Sequence, residues 1–207
     1  MDMGDALRLP DTELAHAALE WARTVEPEYL LNHSVRSYLF GRAVARPGVE
    51  YDDELLFLAT VLHDVGLVPE GDGQQRFEVD GADAAVRFLS ARGLSEERAE
   101  IVWDAIALHT SIGIANRKRP EVALAYAGIG IDVSKRGAEQ LPPGFAESVF
   151  EAYPRLGCKR ELIEAVIHVS HANPARKAPP LTFPGEILRT RHPEDVPRWD
   201  QLNAWAD

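Results

Sequence analysis

His63 and Asp64 stand side by side at the end of the run Leu55-Leu56-Phe57-Leu58-Ala59-Thr60-Val61-Leu62, which is apolar enough to be buried on nearly every side. An unpaired carboxylate in such a place costs several kcal/mol even after relaxation, and an imidazole nitrogen without a partner adds to that. A divalent metal would satisfy both groups at once. His33 lies upstream and Asp132 downstream, each set in an apolar stretch, so the chain offers a spaced set of His, His-Asp and Asp ligands. Two imidazoles and two carboxylates are of borderline hardness, which suits Zn²⁺, Fe²⁺ or Mn²⁺ better than copper or an all-oxygen Mg²⁺ cage. Such an ion lowers the pKa of water to about 7 and polarises an electrophile, which is the chemistry of a hydrolase or hydratase. Read singly, His33 or Asp132 is more often a satisfied core residue, and a buried hydrogen-bonded pair is the plain alternative for His63-Asp64.

Nearly every periodic segment that must hold these residues reads as helix. Asp11 or Thr12 can cap a helix carrying Leu14, Ala18, Trp21 and Val25, and Glu26-Pro27-Glu28 starts the next with proline where its missing N–H is harmless. That second helix is buried on two sides: Leu31, Val35, Tyr38 and Leu39 share one face, and Leu30, His33, Phe40 and Val44 another. Asp52-Asp53-Glu54 supplies the acidic first turn of the helix that delivers His63 and Asp64. Helices from Phe77 to Arg92, ended by Gly93, and from Ser95 through Ile101, Val102, Ala105, Leu108 and His109 follow. Gly128 and Gly130 weaken the helix leading to Asp132 by about 1 kcal/mol each relative to alanine, which points to close backbone approach there. After the break at Pro142-Pro143-Gly144, Lys159 to Ser170 forms a last amphipathic helix. Six prolines after His171 make the remainder read as irregular, with Trp199 and Trp205 as anchors to the body. The expected fold is all-α. One domain is expected over residues 1–207, with a metal-binding core at about 27–137 and a C-terminal helix and irregular tail at about 158–207.

Composition narrows the function classes. The chain of 207 residues can bury a core without a structural metal, so a metal would be functional. Cys158 is the only cysteine, which excludes a disulfide framework and a thiolate zinc site and fits a cytoplasmic protein. No signal-peptide pattern and no apolar run of about 20 residues is present, so neither export nor a membrane partner is expected. A net charge of −11 disfavours nucleic acid and highly anionic substrates, leaving a small neutral or cationic molecule as the expected partner. A homo-oligomer stays open, because exposed faces and interface faces read alike.

His33, His63-Asp64 and Asp132 resemble the pattern of the HD-domain metalloenzymes, an upstream His, the His-Asp doublet and a distal Asp. That resemblance implies a helical bundle with a single buried metal site ligated by all four residues, Zn²⁺ being favoured. The flanks narrow it further. Asn32-His33-Ser34 with Arg36 and Tyr38, Leu62-His63-Asp64-Val65-Gly66, Phe77-Glu78-Val79 with Gly81-Ala82-Asp83-Ala84-Ala85, and Trp103-Asp104-Ala105-Ile106 with His109-Thr110 look like the cyanamide hydratase group, over about residues 29–135. Dinuclear members of the superfamily carry a further histidine before a Gly-Ala pair and a double histidine later. Phe77 and His109-Thr110 stand in those places here, which implies one metal and leaves His109 free for the substrate.

In the mechanism this implies, Asp64 or Asp132 orients the water while His109 donates a proton or hydrogen bond to the substrate nitrogen. Asn32, Glu78, Thr110 and Ser111 are the candidates to hold a small nitrile-type substrate in a small pocket, cyanamide to urea being the type case. Two alternatives remain: an HD phosphohydrolase of a nucleotide or phosphomonoester, anchored by Arg36 and the Arg117-Lys118-Arg119 cluster, and a non-catalytic HD ligand-binding module. The polar stretch at residues 70–76 reads as a surface loop, with a lid as the sharper alternative. His168 and His171 read as an exposed helix end, and His16 and His192 have no role.

Overall fold

The computed structural model describes residues 6–196, so Trp199 and Trp205 lie outside the described residues. The described chain is helical, with no strand. The helices are α1 (Glu13–Val25), α2 (Glu28–Ala43), α3 (Asp53–Val61), α4 (Phe77–Ser90), α5 (Glu96–Ala107), α6 (Pro120–Ser134), α7 (Phe145–Ala152), α8 (Cys158–His171), α9 (Pro174–Lys177) and α10 (Phe183–Arg191).

Local chemistry accounts for most of their ends. Thr12 and Asp52 accept the first-turn amides of Ala15 and Leu55 through their side chains. Gly93, with φ of +92°, takes the left-handed conformation after α4. Ser95 occupies the N-cap position of α5 but makes no capping bond.

The tail corrects the expectation of an irregular C-terminus. Pro174 and Pro184 sit in the first turns of α9 and α10, where a missing N–H leaves nothing unpaired, and the Thr182 side chain accepts from Gly185. The prolines that argued against helix instead begin two of them.

The core that positions the site forms around α2 and α3. Both are buried on nearly all sides, α3 throughout Leu55–Val61. α2 lies along α6, and the two backbones approach at glycines. A Cβ on Gly128 would stand 2.0 Å from the Ser37 carbonyl oxygen, and one on Gly41 would stand 2.6 Å from that of Leu124. This contact, anticipated at Gly128, sets His33 of α2 opposite Asp132 of α6. A second close approach holds the turn after α3. A Cβ on Gly66 would stand 2.1 Å from the Phe77 carbonyl oxygen, so the His63-Asp64-Val65-Gly66 turn rests directly on the start of α4.

The loop at 70–76 is tied down. The Asp80 carboxylate accepts from the amides of Gly73 and Gln75, and buried Lys177 of α9 pairs with Asp72. It is a braced surface loop in this structure.

Candidate metal centre

Two of the three histidines at the centre are placed in the same way. α3 ends at Val61 and α5 at Ala107, and each leaves carbonyls in its last turn without helical partners. His63 Nδ1 donates to Thr60 O at 2.7 Å, and His109 Nδ1 donates to Ile106 O at 2.6 Å. Each ring thereby satisfies a helix-terminal carbonyl, and its Nε2 becomes the lone-pair atom. His33, within α2, reaches the same state by another route, with Nδ1 donating to Asp132 Oδ2 at 2.6 Å.

The free nitrogens converge with a carboxylate. His33 Nε2 and His63 Nε2 are 3.2 Å apart, Asp64 Oδ2 is 3.1 Å from His63 Nε2, and it is 3.6 Å from His33 Nε2. All three side chains are buried, and Asp64 Oδ2 has no hydrogen-bond partner. Three acceptors this close repel one another unless a cation lies among them. A triangle with these sides has a circumradius of about 1.9 Å, close to the roughly 2.0–2.1 Å of Zn–N and Zn–O bonds. The donor set therefore fits a divalent metal. His109 Nε2 is 3.8 Å from Asp64 Oδ1, with its ring 4.9 Å from that of His63.

Charges follow the geometry. Burial alone would raise the Asp64 pKa, but His63, and then His33 and His109, hold it below the usual carboxylate range. For His63, burial lowers the pKa, and the negative charge of the adjacent Asp64 more than offsets that, raising it. Burial pushes His109 down to about 3, assisted by His63, so this ring is neutral at physiological pH.

Asp132, expected as the fourth ligand, is engaged by other side chains in this structure. Its Oδ1 accepts from Arg36 Nε (2.8 Å) and Arg155 Nη1 (3.1 Å), and its Oδ2 from Arg36 Nη2 (2.7 Å) and His33 Nδ1. Both oxygens are committed, and the carboxylate stands behind His33 rather than beside Asp64. Burial would raise its pKa, yet the Arg36 and His33 hydrogen bonds hold it low. Arg36 is fully buried and also donates to the Tyr153 and Pro154 carbonyls. Neither it nor Arg155 was read from the sequence as support for the centre. The signal for Arg36 was its place one helical turn from His33 with no acid nearby in sequence.

The His/Asp cluster opens into a cavity of about 190 Å³. Phe77, Ile129, Val133, Leu162, Val166 and Phe183 make its walls apolar, and Thr110 reaches it while donating to Glu78 Oε1 at 2.7 Å. Phe77 packs edge-on against His109, with centroids 5.6 Å apart.

Three substrate-binding expectations change. Asn32 donates to Pro154 O and does not line the cavity, because it projects about 100° round α2 from His33. Ser111 does not line it either, and Ile112 takes that place. Glu78 is buried behind Thr110, where burial raises its pKa against the opposing effects of Arg76 and Thr110.

Fold and site together define an all-helical protein with a buried His/Asp cluster able to hold a divalent ion. Residues 30–143 match the HD domain model, more than half of the chain, and the protein belongs to the HD domain family. Membership brings a metal-dependent hydrolase type of function. No curated protein matches the chain. Among the described residues, no helix is long and apolar enough to cross a membrane.

Proposed function

We propose that the protein is a single-metal HD enzyme that adds water to a neutral carbon–nitrogen electrophile, of nitrile or amide type, carrying an apolar substituent. His33 Nε2, His63 Nε2 and Asp64 Oδ2 would hold the ion, and the observation that carries the reading is their convergence at the floor of an apolar cavity. When bound, a divalent metal supplies Lewis acidity toward water and substrate; Zn²⁺ suits the donor set, with Fe²⁺ and Mn²⁺ as alternatives.

The chain's own residues do the rest. Asp64 Oδ1, turned away from the ligand triangle and toward His109, orients water by accepting its proton. His109, fixed by Ile106 O, presents Nε2 to the substrate and passes that proton on to its nitrogen as charge develops there. Asp132 and Arg36 fix the ring and tautomer of His33, the carboxylate–histidine support common behind metal ligands. Thr110 is oriented by Glu78 and offers its oxygen to the substrate. The apolar walls exclude water and leave more room than the three heavy atoms of cyanamide fill.

The cations nominated as phosphate anchors do not serve this cavity: Arg36 is turned into Asp132, Lys118 pairs with Asp104, and Arg117 and Arg119 are exposed. One observation keeps phosphoester hydrolysis as a second reading. Arg136 lines the cavity, stacked over Tyr126 at 4.8 Å from the ring centroid. A panel of cyanamide, alkyl and aryl nitriles, amides and aryl phosphates, run on zinc-loaded protein, separates the two. Turnover confined to nitriles or amides, lost in His109→Ala with the metal retained, is the expected result. Phosphate release that Arg136→Gln abolishes would overturn the first reading in favour of the second.

A further inference from the structure

At the far ends of α8 and α10, three side chains that are separated in sequence meet. His171 is the last residue of α8, His192 follows α10 directly, and Asp195 lies one turn further on. His171 Nε2 is 3.0 Å from Asp195 Oδ2, and the His171 and His192 rings are 4.5 Å apart at 70°. One ligand atom from each residue lies within 4.8 Å of the other two. We infer that His171, His192 and Asp195 form a second metal site, separate from the HD centre, which takes Zn²⁺ with water completing its coordination.

An ordinary surface ion pair accounts for His171 with Asp195. It leaves His192 unexplained, since that ring has no acidic partner among the described residues and is nevertheless held edge-on against His171. Two imidazoles and one carboxylate are the donor types that zinc takes when one position stays open to water. Half of the site is built beforehand. The Asp195 amide donates to the His192 carbonyl at 3.1 Å and closes a turn that carries both ligands, and the His192 amide donates to Leu188 O and ties that turn to α10. Binding therefore orders little beyond exposed side-chain rotation, which keeps its entropic cost low. Tetrahedral zinc places its ligand atoms about 3.3 Å apart, given bonds of about 2.0–2.1 Å. The His171–Asp195 pair is already near that separation, and the His192 ligand atom lies within 4.8 Å of both.

The position gives the site a consequence. α8 supplies Leu162 and Val166, and α10 begins with Phe183, so these two helices form one wall of the main cavity. Zinc at their far ends would clamp α10 onto α8 and steady that wall from a distance.

Titrating Zn²⁺ into the full-length chain, with calorimetry and metal analysis after dialysis, tests the inference. The wild type should bind two equivalents, and His192→Ala and Asp195→Asn one each. His63→Ala should also retain one, together with a zinc-dependent rise in melting temperature that is lost when His192→Ala is added. Both outer positions are exposed or half-exposed and outside the core, and the amide variant preserves shape, so folding, followed by far-UV circular dichroism, should persist. The inference is overturned if His192→Ala and Asp195→Asn keep the full wild-type stoichiometry, or if His63→Ala binds no zinc. An undiminished stoichiometry in His63→Ala, with one equivalent lost in His192→Ala and Asp195→Asn, would count against the HD centre and leave the second site standing.

Discussion

Replacing Asp132 by Asn separates a residue that supports a ligand from one that is a ligand. Four donors surround the carboxylate: Arg36 Nη2 and His33 Nδ1 at Oδ2, Arg36 Nε and Arg155 Nη1 at Oδ1. An amide has one accepting oxygen, so its NH₂ must face two donors whichever way it turns. With nitrogen at the Oδ1 place both opposing donors are guanidinium N–H groups, which cannot yield. With nitrogen at the Oδ2 place, His33 can yield by moving its proton from Nδ1 to Nε2, which puts that proton on the atom aimed at the metal. The substitution also removes the charge opposite fully buried Arg36, and breaking a buried pair costs about 3–5 kcal/mol. Loss of a supporting hydrogen bond behind a metal ligand typically weakens metal binding about 10–100-fold. Urea unfolding of the apoprotein and competition for zinc against a chromophoric chelator measure the two quantities, with His63→Ala as the reference for loss of the centre. Stability within about 1 kcal/mol of wild type at unchanged zinc affinity would refute the reasoning. Loss of zinc as complete as in His63→Ala would make Asp132 a ligand itself.

Val166→Phe should fill part of the apolar cavity, cutting turnover of bulky substrates more than tenfold while metal content stays at the wild-type level; unchanged kinetics would show that the substrate does not use that wall. Gly128→Ala forces a Cβ to within 2.0 Å of the Ser37 carbonyl oxygen, and overpacking of this kind costs about 1–3 kcal/mol or more. Calorimetry should show a lower melting temperature for it, together with weaker metal binding as α2 and α6 separate, and an unaltered melting curve would contradict the close crossing. Glu26 is buried with neither carboxylate oxygen hydrogen-bonded, and burial, then the Asp64 charge, push its pKa well above the usual value near 4.5. The folded chain therefore holds a proton that the unfolded chain releases, so wild-type stability falls as pH rises from about 4.5 toward the folded pKa. Glu26→Gln should flatten that fall and gain on the wild type as pH increases, whereas parallel stability curves from pH 4.5 to 8 would rule the effect out.

Polar residues inside apolar runs made the centre legible: His33, His63, Asp64 and His109 were each marked by neighbours that must be buried. Helix starts were partly legible: Thr12 was one of two candidate caps, and Asp52, read as an acid of the first turn, is the cap itself. What pointwise reading missed was direction. Asn32 adjoins His33 in the chain but faces a different neighbour, because one residue along a helix is about 100° around it. Asp132 was recognised as important, but its role depends on Arg36 and Arg155, which only the packing of α2, α6 and the segment after α7 brings to it. α9 and α10 were hidden because proline count was read without proline position; in a first turn, proline favours the helix it would break elsewhere. The grouping of His171, His192 and Asp195 arises only when α10 folds back along α8.

In the proposed enzyme, His33, His63 and Asp64 hold one divalent ion at the cavity floor. Anomalous diffraction at the zinc edge, from crystals of the zinc-loaded protein, tests it most directly. The expected result is a peak about 2 Å from His33 Nε2, His63 Nε2 and Asp64 Oδ2, with Asp132 still bound to Arg36 and not to the metal. No peak among those three atoms, with zinc found only at His171 and His192 or nowhere, would contradict it.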